Sequence, residues 1–200
     1  MEHSAAGLGL RQITTHAGLV HATFYNYYLD ISALLADLAE LLGATHAVAM
    51  AGLFEGSEGP AVRFARITRQ TLRIVALQTE IGRLMFDVGI PADRLSTELR
   101  LRLQLDIAEG AGRGIFRVAD PNLAASAIAG AIFGIALDLH RSILPHAKID
   151  AATALLLTHL GLEPAEAERL AHEPIEFPPL PEMPMRWLAL PAVAFTGADL

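Results

Sequence analysis

Apolar residues recur along most of this chain at steps of three and four, with polar residues between them. In LRQITTHAG, Leu10, Ile13, Thr14 and Ala17 fall at i, i+3, i+4 and i+7, one stripe of a short helix. The same spacing then sends Val20, Phe24, Tyr27 and Tyr28 to the inner side of a second short helix, from about Val20 to Tyr28. It leaves His21, Ala22, Tyr25 and Asn26 on the outer side. Gly18 separates the two as a tight turn. Strict alternation is confined to LRLRLQL, where Glu98 and Arg102, four apart, meet only on a helical face, so that segment also reads as helix.

Helix punctuation is frequent. Asp120-Pro121 supplies an N-cap followed by proline at the first helical position, Asp150 starts a helix that Gly161 closes, and Glu163-Pro164 opens another. Pro60 begins PAVRFARITRQTLRIVALQT, and Pro91 begins PADRLSTELRLRLQLDIAEG, which glycines at 110, 112 and 114 stop. The chain therefore reads as all-α, with about eight or nine helices: two short ones between about 8 and 30, and longer ones from about 33 to 172. From Glu173 onward six of the eleven prolines crowd together, a stretch no helix accommodates. It is either disordered or packs Trp187 and Phe195 onto a neighbouring surface.

Two hundred residues, 52% of them apolar, suffice for a sizeable core. Cysteine is absent, which removes disulfides, thiolate metal sites and cysteine nucleophiles and points to a cytoplasmic location. The start, MEHSAAGLGL, lacks the basic head and apolar run of a secretory signal. No uninterrupted apolar segment of about 18 residues is expected, the nearest being LAASAIAGAIFGIAL between Asp120 and Asp138, so no membrane partner is expected. A net charge of −7 argues against indiscriminate nucleic-acid binding.

The chemistry gathers in ITTHAGLVHATFYNYYLDISALL. His21, Ala22, Tyr25 and Asn26 put small, hydrogen-bonding and aromatic groups on the outer side of the second helix, where a recognition helix reaches base edges in a major groove. This segment resembles the helix-turn-helix signature of TetR-type (TetR/AcrR) transcriptional regulators. Ala17-Gly18, the triplet Thr23-Phe24-Tyr25, Tyr27 and Leu34-Leu35 stand in its register. The resemblance implies a small DNA-reading domain over residues 1–44 and a larger helical domain over residues 45–172 that dimerises and binds an effector. The Pro-rich tail, residues 173–200, follows. Thr23, Tyr25 and Tyr27 would then touch phosphates, and His21, Ala22 and Asn26 would lie nearest the bases. The implied partners are double-stranded DNA with a palindromic operator, a second copy of the chain, and an apolar or amphipathic small molecule. The implied role is that of a ligand-responsive repressor.

Three positions depart from the signature: Val20 stands where serine usually caps the recognition helix, Ala22 where glycine admits the backbone to DNA, and Ile31 where a lysine pairs with phosphate. Only MEHSAAG precedes the match, so the first helix of the DNA-binding domain is expected to be lacking, which would leave Leu10, Ile13 and Phe24 facing water. Between residues 1 and 50 the only arginine or lysine is Arg11, set against Glu2, Asp30, Asp37 and Glu40. A reading head of that charge binds DNA weakly. The alternative reading is a degenerate family member that binds a small hydrophobic ligand or a partner protein without reading DNA.

In the body, Ser126, Gly130 and Gly134 make one helical stripe of nearly bare backbone, open to another helix. That helix belongs either to the same chain or, as the resemblance implies, to a second copy, which would also meet the helix from Asp150 to Leu160 in a four-helix bundle. Arg63, Arg66, Arg69 and Arg73 recur with no acid nearby in sequence and read as a solvated face or as an anion-holding wall beside an effector pocket. The candidates for such a pocket are Arg69, Arg83, Met85, Phe86, Phe116, Phe133 and His140, since adaptable apolar side chains suit small-molecule sites. His140, His146 and His159 lack metal-ligand spacing, and nucleophile, phosphate-loop and dinucleotide signatures are missing. Neither a metal, a cofactor nor an enzymatic activity is expected.

Overall fold

The computed structural model describes residues 9–54, 59–88, 90 and 92–182, and among them helices form and no strand does. Trp187, Phe195 and the region ahead of Gly9 lie outside the described residues. α1 (Leu10–His16) and α2 (His21–Tyr25) are joined through Gly18, whose φ of +67° is a left-handed conformation that side chains resist. Phe24 is 6% exposed, its ring 5.7 Å from that of Tyr25 and 5.5 Å from that of Tyr28, and Leu10 and Ile13 are half-buried. The expectation that Phe24 faces water is corrected, because the rings of Tyr25 and Tyr28 pack against it, while Leu10 and Ile13 stay partly exposed. The inward placement of Val20 and Tyr27 is corrected as well, since they are 70% and 77% exposed. α2 is five residues long, with Val20 extended before it and Asn26 at its end, so the helical period does not reach either position.

α3 (Ile31–Phe54) starts from Asp30, whose carboxylate accepts the Ala33 N–H at 2.9 Å. Asp37 then accepts a hydrogen bond from Tyr28, and burial together with that carboxylate holds the tyrosine hydroxyl above its usual pKa.

The body comprises α4 (Pro60–Leu77), α5 (Thr79–Phe86), α6 (Ala92–Gly112), α7 (Pro121–His140), α8 (Ile149–His159) and α9 (Pro164–Ala171), with a 3-10 turn at His146–Lys148. Asp120 caps α7 through the N–H groups of Asn122 and Leu123. α4 is the axis, for α3 and α5 to α9 all pack on it. Its Phe64 joins Ile107 of α6 and Leu157 of α8, its Leu72 and Val75 join Ala136 and Leu139 of α7, and its Ile74 joins Leu42 and Met50 of α3. Burial of each such large apolar side chain contributes about 1.5–3 kcal/mol.

A helix packed on most sides must find partners for most of its polar groups within the protein, and on α4 the Nε atoms of Arg66 and Arg73 and the Oε1 of Gln70 are buried without one. Arg63 donates to Asp106 at 2.8 Å and to Glu109 at 2.6 Å, both on α6. Arg69, 6% exposed, donates to Asp150 of α8 at 2.9 Å and to the Glu173 carbonyl at 2.7 Å. The reading of these arginines as a solvated face is thereby corrected: their acids come from helices distant in sequence. His46 of α3 meets Thr71 of α4 at 2.9 Å, and burial pushes its imidazole down to about 4.

Two helices, over Ile31–Met50 and Pro121–His140, have the length and apolar content of a membrane span, where no such segment is expected from sequence. In α7 the helix carries the apolar run past Asp138 to His140. Each helix packs one face into the core, through Leu42 and Met50 on α3 and Ile128 and Leu139 on α7.

After α9, residues 173–182 form a strap without helix. Ile175 and Phe177 turn inward while Pro174 and Glu176 face solvent. Ile175 and Leu180 pack against α3 to α5, and the Arg73 guanidinium lies 4.0 Å from the centre of the Phe177 ring. Gln70 and Gln78 donate to the carbonyls of Pro178 and Pro181 at 3.0 and 2.9 Å. The prolines have no N–H to offer, so the strap is gripped through its carbonyls and its apolar side chains.

α8 ends in a Schellman turn, the N–H of Leu162 reaching the Leu157 carbonyl and that of Gly161 reaching Thr158. Gly161 has φ +88°, and a Cβ there would sit 2.9 Å from the backbone N and O of Arg117. Gly161→Ala is expected to lower the unfolding free energy by about 2 kcal/mol in urea titrations, and an unchanged midpoint would contradict this account of the turn. His46 supplies a pH test. A base whose folded pKa is depressed takes its proton more readily when unfolded, so it leaves stability untouched above the unfolded value of 6.5 and erodes it as pH falls towards about 4. The loss is roughly 3 kcal/mol at most, and His46→Gln should flatten that part of the stability profile.

Candidate functional site

The outer side of α2 carries His21, Ala22, Tyr25 and Asn26, all exposed, with the rings of His21 and Tyr25 6.0 Å apart. Tyr27 stands exposed just beyond the helix, and Thr23 is half-buried between the two sides. The six residues expected to meet DNA thus lie along one helix and the turn that ends it. The first turn of α2 has no side-chain cap, as Val20 in the capping position dictates, which forgoes about 1 kcal/mol of helix stabilisation.

A second site lies between α3, α4 and α5, a partly open cavity of about 50 Å³. α3 supplies Leu42, Gly43, Thr45 and His46, and α4 supplies Thr71, Ile74 and Val75. Ile81 and Met85 of α5 form a third wall, and Pro181 of the strap a fourth. The Thr45 hydroxyl is spent on the Leu41 carbonyl of its own helix at 2.7 Å. The polar feature facing an occupant is therefore the His46–Thr71 pair, in a wall that carries no Asp, Glu, Lys or Arg.

Of the pocket residues expected from sequence, Met85 lines this cavity. Phe86, Phe133 and His140 come together elsewhere, with Phe86 4.9 Å from Phe133 and 5.7 Å from His140 between ring centres. His140 rests on the bare backbone of Gly82 and reaches Asp87 at 3.1 Å, while Arg141 donates to the same carboxylate at 2.6 Å. Arg83 is exposed, Phe116 is buried against Phe64 with ring centres 6.3 Å apart, and Arg69 is held by Asp150. Sequence reasoning missed His46 and Thr71. The one available signal was a lone imidazole inside the apolar run LLGATHAVAM.

The small-residue stripe of α7 is open. Ser126, Gly130 and Gly134 are exposed, and a Cβ at either glycine would meet nothing within 4 Å. Leu123 and Phe133 of α7 and Leu155 of α8 are exposed too. Among the described residues no cluster of three or more His, Asp or Glu side chains forms a metal-binding group.

Comparison with known proteins accords with this geometry. The tetracyclin repressor-like C-terminal domain profile matches residues 59–173. The crystal structure of RolR without ligand is similar at a TM-score of 0.68 and 26% identity, over 90% of this chain and 92% of that one. RolR in complex with resorcinol is similar at a TM-score of 0.70 and 26% identity, over 88% of this chain and 86% of that one. Among curated proteins nothing matches. With more than half of its residues matched by that domain and nine-tenths of its length aligned with RolR, the chain belongs to the TetR-type family of transcriptional regulators.

Proposed function

We propose that this protein is a cytoplasmic, ligand-responsive repressor that binds a palindromic operator as a homodimer. The observation that carries the reading is the outer face of α2, where His21, Ala22, Tyr25 and Asn26 are free while Phe24 behind them is buried. In this reading His21, Ala22 and Asn26 meet base edges, and Thr23, Tyr25 and Tyr27 meet phosphates. Ser126, Gly130 and Gly134 lie against a twofold copy, so that α7 and α8 of two chains form a four-helix bundle. The exposed leucines beside the stripe support this, because a bare apolar face of that extent is costly in water.

The effector occupies the cavity between α3, α4 and α5. RolR has been crystallised with resorcinol, a small hydroxylated ring, and an apolar or amphipathic molecule of that scale suits a wall of aliphatic side chains with one hydrogen-bonding pair. An occupant there presses on α3, which follows directly on the reading head and meets its Tyr28 at Asp37, and so alters the spacing of the two heads in the dimer.

A second reading has an observation of its own. Arg11 is the only arginine or lysine in the first fifty residues, which favours a degenerate member that binds ligand without reading DNA. Gel retardation of the DNA upstream of the protein's own gene separates the two. The regulator reading expects a specific shift that Asn26→Ala weakens about 10- to 100-fold, the worth of one good base contact; no shift even at low salt would favour the degenerate member. Gly130→Trp should keep the helix content by circular dichroism, halve the sedimenting mass and abolish the shift. An unchanged mass would remove α7 from the interface.

A further inference from the structure

The cavity and the strap bear on each other in a way the family domain does not include, since that domain ends at residue 173, where the strap begins. A void of about 50 Å³ is far smaller than an engineered protein cavity of roughly 150 Å³ that takes up one benzene ring. Any aromatic effector therefore requires a wall to move. Three walls are helices, and fully buried side chains outside the lining, Met50 of α3 and Leu72 of α4, fix two of them in the core. The fourth is Pro181, in a segment without helix, gripped by Gln70, Gln78 and Arg69 through its carbonyls and by Arg73 through Phe177.

We propose that residues 173–182 are a displaceable lid of the effector cavity: a compact, uncharged ligand with one hydrogen-bonding group lifts Pro181, enters beside Met85 and Ile81, and bonds to His46 and Thr71. The proposal rests on the reading of this cavity as the effector site. Charge is excluded by the lining, which offers no ionised side chain to compensate a buried ion. The His46 ring, kept neutral near pH 7 by its burial, behaves likewise: it accepts or donates one hydrogen bond and brings no charge. The Gln78 grip lies next to Pro181 and is the first that a rising lid breaks.

The chain has no cysteine, so an engineered pair would be its only thiols. A Cβ at Gly52 of α3 falls 4.0 Å from Pro178 Cγ, so the two Cβ atoms lie within about 5.5 Å and a small shift of the strap brings them to disulfide distance; Gly52→Cys with Pro178→Cys pins the lid to α3 on oxidation. Phenol is the probe and benzoate its charged counterpart. By calorimetry at pH 7, phenol should bind the oxidised protein at least tenfold more weakly than the reduced protein, and benzoate should bind either form at least tenfold more weakly than phenol binds the reduced one. In the unaltered chain, saturating phenol should speed amide exchange at Ile175, Phe177 and Leu180 by tenfold or more, a readout that holds if the disulfide variant fails to fold. Equal phenol affinity in the two redox forms, no phenol binding to the reduced form, benzoate binding as tight as phenol, or unchanged exchange in the strap would each overturn the proposal. None of these readouts involves DNA, so their failure leaves the repressor reading to be judged by retardation alone.

Discussion

The structure depends on one constraint: α4 has six helices and the strap packed around it and yet carries Arg63, Arg69, Gln70, Arg73 and Thr71. A polar group taken from water must be repartnered inside the protein or it costs several times what a made hydrogen bond returns. Each partner that α4 recruits becomes a structural feature. Asp106 and Glu109 fix α6, Asp150 fixes the start of α8, and the carbonyls of Glu173, Pro178 and Pro181 fix the strap. Burial outweighs the bond to Arg63 and holds the Asp106 carboxyl above its usual pKa. Thr71 finds His46, and around that pair the aliphatic side chains of three helices leave a small void.

α3 links that void to the reading head. Its N-terminal end is capped by Asp30 and holds Tyr28 through Asp37, its middle lines the cavity with Leu42 and His46, and its Gly52 faces the strap at Pro178. A single rigid helix of 24 residues that touches the head, the cavity and the lid turns a local displacement into a movement at its far end. In the proposed mechanism this is the whole of the transmission, and the exposed stripe of α7 supplies the fixed point against which two such helices move.

How far the sequence discloses this depends on whether the physics is local. The helix starts at Asp120-Pro121 and Glu163-Pro164, the stop at Gly161 and the turn at Gly18 follow from one or two residues, and the structure has them. The periodic stripe of α1 holds at Leu10, Ile13 and Thr14 but not at Ala17, which is exposed just past the helix. Val20 and Tyr27 were misplaced because a five-residue helix is too short for its period to govern its flanks. The arginines of α4 were misread because their acids lie 43 to 81 positions away, beyond the reach of any local pattern. His46 and Thr71 stayed hidden for a similar reason: they are 25 residues apart, and only the crossing of α3 and α4 makes them a pair. The strap is the extreme case. Its prolines announce the absence of helix, but its attachment is written in the glutamines and arginines of α4, about a hundred residues earlier.

Hydroxyl-radical footprinting of the DNA upstream of the protein's own gene, at low salt, tests the functional account most directly. A twofold dimer presenting two α2 helices predicts two protected patches on one face of the duplex, their centres about 34 Å apart or a multiple of that, fading together as phenol fills the cavity. Protection that is absent, or confined to a single patch that phenol leaves unchanged, would contradict it.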